Sequence, residues 1–347
     1  YTYLWDLINR AGEIIAKANG AEAAWVTSGG FNALVLSAAA CIAGTDPEKM
    51  RRLPSTEGMK NEIIIQRGHR LWIYDRSMEV PGGKFVFVGD ERWGCTPEQM
   101  EAAITENTAA IHHFITSTPG RYDVPIEETV NIAHDYDIPV ILDAAGKTWP
   151  LEGLTKYTKM GVDLVCYGGK YVGGPNSTGW VQGREDLIEA IALNSFIGAE
   201  AGPEEKGGFY RSIGRGYKLD RQEVIALVVA FKHWLAMDHE KERFQPAWKK
   251  ARYIEDNIKG LKGLKDVKFG YHPASGKGCG YHTLGLHLIF EGRTIDEVEA
   301  LVMKMREDDP EIWVRNWRDS NDFIINTLTL RDGDEEIIVD RFKKLFG

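Results

Sequence analysis

The stretch Asp163-Leu-Val-Cys-Tyr-Gly-Gly-Lys170-Tyr-Val-Gly-Gly-Pro-Asn-Ser-Thr-Gly179 places one lysine between two glycine pairs, directly after a short apolar run. The run from Leu164 to Tyr167 predicts a buried strand that delivers Lys170 at its end. Because an ammonium group is costly to desolvate, a lysine at such a position is a candidate nucleophile, and we expect it to form a Schiff base. A lysine that simply reaches solvent is the alternative at this point.

A second motif lies near the start of the chain, where a short apolar strand precedes Thr27-Ser28-Gly29-Gly30-Phe31-Asn32 and a long run of small residues. This order predicts a strand, a glycine turn and a helix. Backbone N–H groups at the start of such a helix point towards an anion, and phosphate is the usual occupant. The alternative is an ordinary helix cap, in which Thr27 or Ser28 caps the helix.

Strands and helices alternate through the first part of the chain, which predicts a mainly parallel α/β sheet with helices on both faces. Ligands of such sheets gather beyond the carboxyl ends of the strands. The predicted strands include residues 24–26, 61–66, 84–89, 109–115, 138–143 and 164–167, and the predicted helices 4–19, 97–104 and 126–135. Five polar residues follow or end these strands, namely Ser28, His69, Ser117, Asp143 and Lys170. We expect them to converge on one site.

The C-terminal part has a different texture. Two long helices are predicted between Asp220 and Leu261, followed by strand-like runs at 267–272, 281–290, 311–316 and 323–330 and by helices at 294–307 and 334–346. We therefore expect a large cofactor-binding domain over residues 1–240 and a smaller α+β domain over residues 241–347. The chain opens on Tyr1 without a methionine, so we expect residues to be missing before it.

Composition excludes several classes of function. The 347 residues carry a net charge of −9, which argues against a general nucleic-acid or membrane-surface binder. The four cysteines form no CxxC pair, and the adjacent His112 and His113 point to opposite faces of a strand, so no metal site is predicted. No apolar run is long enough to span a bilayer. A cytoplasmic setting fits these observations.

Pyridoxal 5'-phosphate catalysis requires three features that this sequence contains, namely a phosphate-binding turn, an aspartate at a strand end and a lysine. Ser28, Gly29 and Gly30 would hold the phosphate, and Asp143 would keep the pyridine nitrogen protonated. Lys170 would bind the cofactor covalently and move protons once the substrate amine displaces it. A helix cap or a surface ion pair is the alternative role of Asp143.

The same residues resemble a known family. The chain is similar to the fold-type I pyridoxal-phosphate enzymes, and within them to the group of L-seryl-tRNA(Sec) selenium transferase and D-glucosaminate-6-phosphate ammonia-lyase. The matching residues are Gly20-Ala-Glu-Ala-Ala-Trp-Val-Thr-Ser-Gly-Gly30, Leu53-Pro54, Gly58-Met-Lys-Asn-Glu62, His69-Arg70, Leu142-Asp143-Ala-Ala145, Gly168-Gly-Lys170, Gly173-Gly-Pro175 and Arg215-Gly-Tyr-Lys218. The resemblance covers residues 5 to 240 and is weak beyond them.

The resemblance implies further roles. Ala145 would pack under the cofactor ring and His69 would stack on its other face, where a histidine could also act as acid or base. A hydrogen-bonded loop histidine is the alternative. The family also implies a homodimer whose site is shared between the subunits.

The sequence differs from the family at two positions near Lys170. Tyr167 stands where relatives often carry a serine that binds phosphate, so that contact is expected from Ser177 or Thr178. Asn176 follows Pro175 where relatives commonly show glutamine.

Arginine suits a substrate carboxylate because its guanidinium can bind both oxygens. Arg315 is the first candidate, with Arg215 and Arg211 as alternatives, although each could instead make a surface pair.

The expected reaction follows from the subgroup resemblance. It is a lyase reaction on a small amino acid, in which Lys170 removes the Cα proton, a β-substituent leaves, and a 2-keto acid and ammonia result. Racemisation, aldol cleavage and transamination use the same residues and are the alternatives, and a non-catalytic binding module on the same fold is an alternative of another class. We expect no nucleic acid or membrane partner.

Overall fold

A computed structural model describes residues 2–70, 74–115, 123–201, 211–273, 282–314, 316 and 322–346. The chain divides into two compact units, and the boundary between them follows Ala236. In the described residues no helix is long and apolar enough to cross a bilayer.

A seven-stranded sheet forms the centre of the large unit. Its strands are β1 (Ala23–Thr27), β2 (Glu62–Gln66), β3 (Lys84–Val88), β4 (Thr108–Phe114), β5 (Val140–Asp143), β6 (Leu164–Gly168) and β7 (Gly179–Gly183). Their order across the sheet is β1-β7-β6-β5-β4-β2-β3, and β7 alone runs antiparallel to its neighbours. The central strands β4, β5 and β6 are buried along their whole length because helices cover both faces of the sheet. The predicted mainly parallel α/β sheet is confirmed.

Helices flank this sheet. They are α1 (Leu4–Asn19), α2 (Gly30–Ala43), α3 (Pro47–Arg52), α4 (Arg76–Glu79), α5 (Pro97–Glu101), α6 (Ile126–His134), α7 (Lys156–Lys159), α8 (Glu185–Asn194), α9 (Gly198–Ala201) and α10 (Arg221–Ala236). Three short 3-10 turns lie at Arg67–His69, Leu151–Leu154 and Gly169–Val172. Helix α2 packs against both β6 and α8, and its run of alanines lets it lie almost wholly buried.

Strand β7 was not predicted from the sequence. Its side chains Trp180 and Gln182 are fully buried, so its five residues show no alternation of polar and apolar positions. The amide of Gln182 is satisfied inside the core. It accepts from Asn19 at 2.6 Å and from the Trp180 indole at 3.1 Å, and it donates to the carbonyl of Leu154 at 2.8 Å. A buried polar side chain is tolerated when its hydrogen bonds are all made.

The small unit is an α+β domain, as predicted. Its elements are a π-helical turn (Glu240–Phe244), α11 (Gln245–Ile258), β8 (Leu264–Pro273), β9 (His282–Phe290), α12 (Ile295–Glu307), β10 (Asp322–Asn326) and α13 (Asp334–Phe346). The three strands form an antiparallel sheet in the order β10-β9-β8. Phe290, Phe323 and Phe342 pack together in its core, with ring centroids 5.1 and 6.0 Å apart.

Two strand predictions in this unit were wrong in extent. Residues 311–314 and 316 form no strand, because the N–H of Ile312 turns back to the carbonyl of Met305 at the end of α12, at 2.8 Å. Strand β10 stops at Asn326 rather than at 330, since the Asn326 side chain accepts from the N–H of Leu328 and closes a turn.

Candidate active site

The start of α2 presents backbone N–H groups that no side chain caps. The N-cap residue is Gly29, with φ 88° and ψ 165°, a conformation open to glycine but strained for other residues. The Thr27 hydroxyl bonds the carbonyl of Gly29, and the Ser28 hydroxyl bonds the carbonyl of Tyr217. The sequence-based alternative, a helix capped by Thr27 or Ser28, is therefore not what the structure has, and the α2 amides are available to an anion.

Glycines bring this helix start close to the end of β6. A Cβ added to Gly179 would lie 2.6 Å from the carbonyl carbon of Gly29 and 2.7 Å from the oxygen of Tyr167. A Cβ on Gly30 would lie 3.7 Å from the N–H nitrogen of Gly168 and 3.8 Å from the Cβ of Ala145. Gly179 therefore permits the close approach that places the α2 amides beside the neighbouring strand ends.

Asp143 ends β5 and is 7% exposed. One carboxylate oxygen accepts from the N–H of Ala145 at 3.0 Å. Among the described residues no cation lies within ion-pair distance, and burial raises the pKa of this carboxyl from 3.8 to about 6. A buried carboxylate without a cationic partner is costly. A protonated pyridine nitrogen would supply the missing partner.

Lys170 lies in the 3-10 turn that follows β6. Strand β6 pairs with β5, and Cys166 of β6 lies opposite Asp143. Lys170 follows Cys166 by four residues, beyond the end of the strand. The Gly168 N–H bonds the carbonyl of Ala145 at 3.0 Å and joins the two strand ends. The lysine is exposed, and its Nζ lies 5.1 Å from the ring centre of Tyr171. Lys170 therefore lies just beyond the strand end that adjoins Ala145 and the α2 start.

His69 is buried in the turn after β2, at the same edge of the sheet. Its ring meets the ring of His113 edge-on, with centroids 4.4 Å apart. Its Nε2 lies 3.6 Å from the carboxylate of Asp123. Sequence reasoning missed Asp123, because a single aspartate beyond a predicted strand carries no signal for its partner.

The other predicted phosphate ligands in the described residues are Ser177 and Thr178, which directly precede β7. The Thr178 hydroxyl is buried and bonds the carbonyl of Pro175 at 2.7 Å, while the Ser177 hydroxyl bonds Glu223. The structure thus engages both hydroxyls with protein partners. Their predicted phosphate role stays a prediction, and Ser117 lies outside the described residues.

Of the predicted carboxylate ligands, Arg215 and Arg211 are both exposed in the loop before α10. Arg215 pairs with Glu200 at 2.8 Å. Arg315 lies outside the described residues, so its role stays a prediction.

Residues 84–251 match the aminotransferase class-V family. Over 99% of this chain and 80% of the relative, the sequence is 28% identical to a 5'-C-glycyluridine monooxygenase-decarboxylase from a Streptomyces species. It is 24% identical, over 98% of this chain and 85% of the relative, to the D-glucosaminate-6-phosphate ammonia lyase of Salmonella typhimurium.

The solved structure of D-glucosaminate-6-phosphate ammonia-lyase superposes on 99% of this chain and 87% of its own with a TM-score of 0.79, at 23% identity. The chain has the fold of the fold-type I pyridoxal-phosphate enzymes. A second structure, the pyridoxal-5'-phosphate dependent protein YhfS from Escherichia coli, superposes on 97% of this chain and 85% of its own with a TM-score of 0.60, at 12% identity. The predicted recognition and fold class are confirmed.

The comparisons support pyridoxal 5'-phosphate as the cofactor. The described residues fit it in two respects that do not depend on the comparisons. The start of α2 offers uncapped N–H groups suited to the phosphate, and Asp143 is a buried carboxylate suited to a protonated ring nitrogen.

Proposed function

We propose that this enzyme is a pyridoxal-phosphate-dependent lyase that acts on a small amino acid. Lys170 takes the Cα proton, a β-substituent leaves, and water hydrolyses the product to a 2-keto acid and ammonia. The proposal is supported by three features at one edge of the sheet, namely the uncapped α2 start, a buried Asp143 without a cationic partner among the described residues, and the exposed Lys170 just beyond the end of β6.

The cofactor, when bound, supplies an electron sink for the carbanion that forms at Cα. The residues of the chain do the rest. The α2 amides, with Ser28, Gly29 and Gly30, bind the phosphate, and Asp143 keeps a proton on the ring nitrogen. Lys170 would hold the cofactor covalently, and its free amine would hold the proton taken from Cα.

Elimination is favoured over the other reactions of this chemistry because the ammonia lyase of Salmonella typhimurium is similar along nearly the whole chain. The Streptomyces relative supports a second candidate, in which the substrate loses its carboxylate and is oxygenated, because its name describes a monooxygenase-decarboxylase. The two candidates differ in their products, ammonia with a keto acid in one case and carbon dioxide with consumption of oxygen in the other.

The test begins with the visible absorption of the purified protein before and after borohydride, followed by mass mapping of the reduced adduct. A yellow band that borohydride fixes onto Lys170 is the expected result. Lys170→Ala should keep the fold but lose the covalent link and all turnover, because both the link and the proton transfer need the amine of Lys170. Full activity in that variant would end the proposal, and a protein that stays colourless with added cofactor would favour a non-catalytic module.

The substrate is then sought by screening small amino acids, with and without a second acidic group, for release of keto acid and ammonia. Oxygen uptake and carbon dioxide are followed in the same wells. Ammonia without oxygen uptake supports the lyase, and the reverse supports the second candidate. We also propose that the enzyme is a cytoplasmic homodimer, which sedimentation at micromolar concentration and cell fractionation would test.

A further inference from the structure

His69 lies in a pocket of titratable side chains at the carboxyl edge of the sheet. The side chains of His69 and Asp123 are 2% and 4% exposed, and the 3.6 Å between Nε2 and the carboxylate is within ion-pair range. The His113 ring covers another side of the imidazole, at 4.4 Å between centroids. His69 Nδ1 is buried and has no hydrogen-bond partner among the described residues. The two ring nitrogens thus have different surroundings.

Gln66 holds Asp123 in this place. Its buried side-chain amide donates to the carbonyl of Val124 at 3.0 Å and accepts from the N–H of Val124 at 2.8 Å. These two hydrogen bonds tie Val124, the residue after Asp123, to the end of β2. A Cβ on Gly68 would lie 3.2 Å from one Asp123 oxygen, so the glycine leaves room for the carboxylate beside the turn. The carboxylate position is therefore set by the sheet.

The other histidines near His69 are neutral at neutral pH. Burial lowers the pKa of His113 well below its usual range and that of His112 to about 4. His113 also has its own partner, since its Nδ1 lies 3.3 Å from the hydroxyl of Thr129. Neither ring can supply the charge that determines which nitrogen of His69 carries its proton, whereas a carboxylate beside Nε2 does so.

We propose that Asp123 is a positioning residue that holds the His69 imidazole with Nε2–H facing its carboxylate, so that Nδ1 is left as the proton-accepting atom of the site. This inference rests on the proposed function, because it assigns His69 a part in the proton transfers of that reaction. An aspartate that fixes the tautomer of a histidine has this effect in hydrolases, where its loss leaves the ring in the wrong tautomer. Here the buried Gln66 amide adds a second restraint.

The tautomer is measured directly by nitrogen NMR of the full chain labelled at its nine histidines, with and without cofactor. His69→Gln assigns the His69 signals. We expect wild-type His69 to carry its proton on Nε2 at neutral pH, and Asp123→Asn to remove that preference. A wild-type ring protonated on Nδ1, or an unchanged ring in Asp123→Asn, would overturn the proposal without reference to activity.

Kinetics provide the second readout. Asp123→Asn should lower kcat by about 10- to 100-fold, a part of what general acid–base catalysis contributes, with KM changed by less than about threefold. The matched control is Thr129→Val, which removes the partner of His113 and should change the NMR signals of His113 alone. A normal kcat in Asp123→Asn, or an equal fall in Thr129→Val, would count against the positioning role. Wild-type protein that releases no keto acid would instead refute the proposed function, while the NMR result would stand.

Discussion

Replacing Asp143 by asparagine should stabilise the cofactor-free protein while it weakens cofactor binding. Burial raises the pKa of this carboxyl from 3.8 to about 6, so the ionised carboxylate destabilises the folded state at neutral pH. This difference between the folded and unfolded pKa values lowers the free energy of unfolding by about 3 kcal/mol at a pH above 6. Asparagine has nearly the same shape and no charge. The free energy of unfolding of the cofactor-free variant should therefore exceed that of the wild type by up to about 3 kcal/mol at pH 7.5.

The pH dependence has a definite sign. Because the folded pKa lies above the unfolded value, the folded state binds more protons, and wild-type stability falls as the pH rises from about 4 to about 6. Below that window the carboxyl is neutral in both states and the cost vanishes. The advantage of Asp143→Asn should accordingly shrink to about 1 kcal/mol at pH 4.5.

Denaturant unfolding of both cofactor-free proteins at pH 7.5 and pH 4.5 measures these differences. The matched control is Asp163→Asn. That aspartate is equally buried, but its carboxylate bonds the N–H of Val140 at 2.8 Å, Arg184 at 3.1 Å and His134 at 3.0 Å, so its loss should destabilise. The reasoning is refuted if Asp143→Asn is no more stable than wild type at pH 7.5, or if its advantage is the same at both pH values.

The same substitution should weaken cofactor affinity by about 10- to 100-fold, the usual range for loss of a hydrogen bond to a charged group. Absorption titration of the cofactor-free variant measures this. If Asp143→Asn raises stability but lowers cofactor affinity, the carboxylate serves ligand binding at a cost in stability, as is common at functional sites.

Gly179→Ala should lower stability by about 1–3 kcal/mol and weaken cofactor binding, because its methyl group would push the Gly29 backbone out of place. Gly216→Ala, where an added Cβ meets nothing within 4 Å, is the control for denaturant unfolding and titration, and equal effects at both sites would contradict the packing argument. Arg315→Ala should raise KM for carboxylate substrates at least tenfold, by loss of a charge-assisted hydrogen bond. An unchanged KM, with a raised KM in Arg215→Ala, would move the carboxylate contact to Arg215.

Local sequence predicted most of the elements that position the site. The apolar runs before Lys170 and Asp143 form β6 and β5, and the small-residue run after Gly29 forms α2. Each depends on a few consecutive residues whose periodicity or glycine content is a local property. The alternative of a side-chain cap on α2 could not be excluded in this way, because a serine or threonine near a helix start is compatible with a cap or with a bare anion site.

Other features depend on which strands become neighbours. Antiparallel β7 enters between β1 and β6 and sets Gly179 opposite both Thr27 and Gly168, a placement that its five residues alone do not indicate. Asp123 meets His69 because β2 and β4 pair side by side and Gln66 clamps the following loop. These contacts join residues far apart in the chain.

The sequence by itself determined most of the strands and helices that position the site, the glycine turn at the start of α2 and the presence of an aspartate and a lysine at strand ends. Only the tertiary structure decided that no side chain caps α2, that Asp143 is buried with no cation beside it among the described residues and that Asp123 lies against His69. The physical reason is that secondary structure follows from interactions along a few residues. Burial and electrostatic pairing, in contrast, depend on which distant segments the fold brings together.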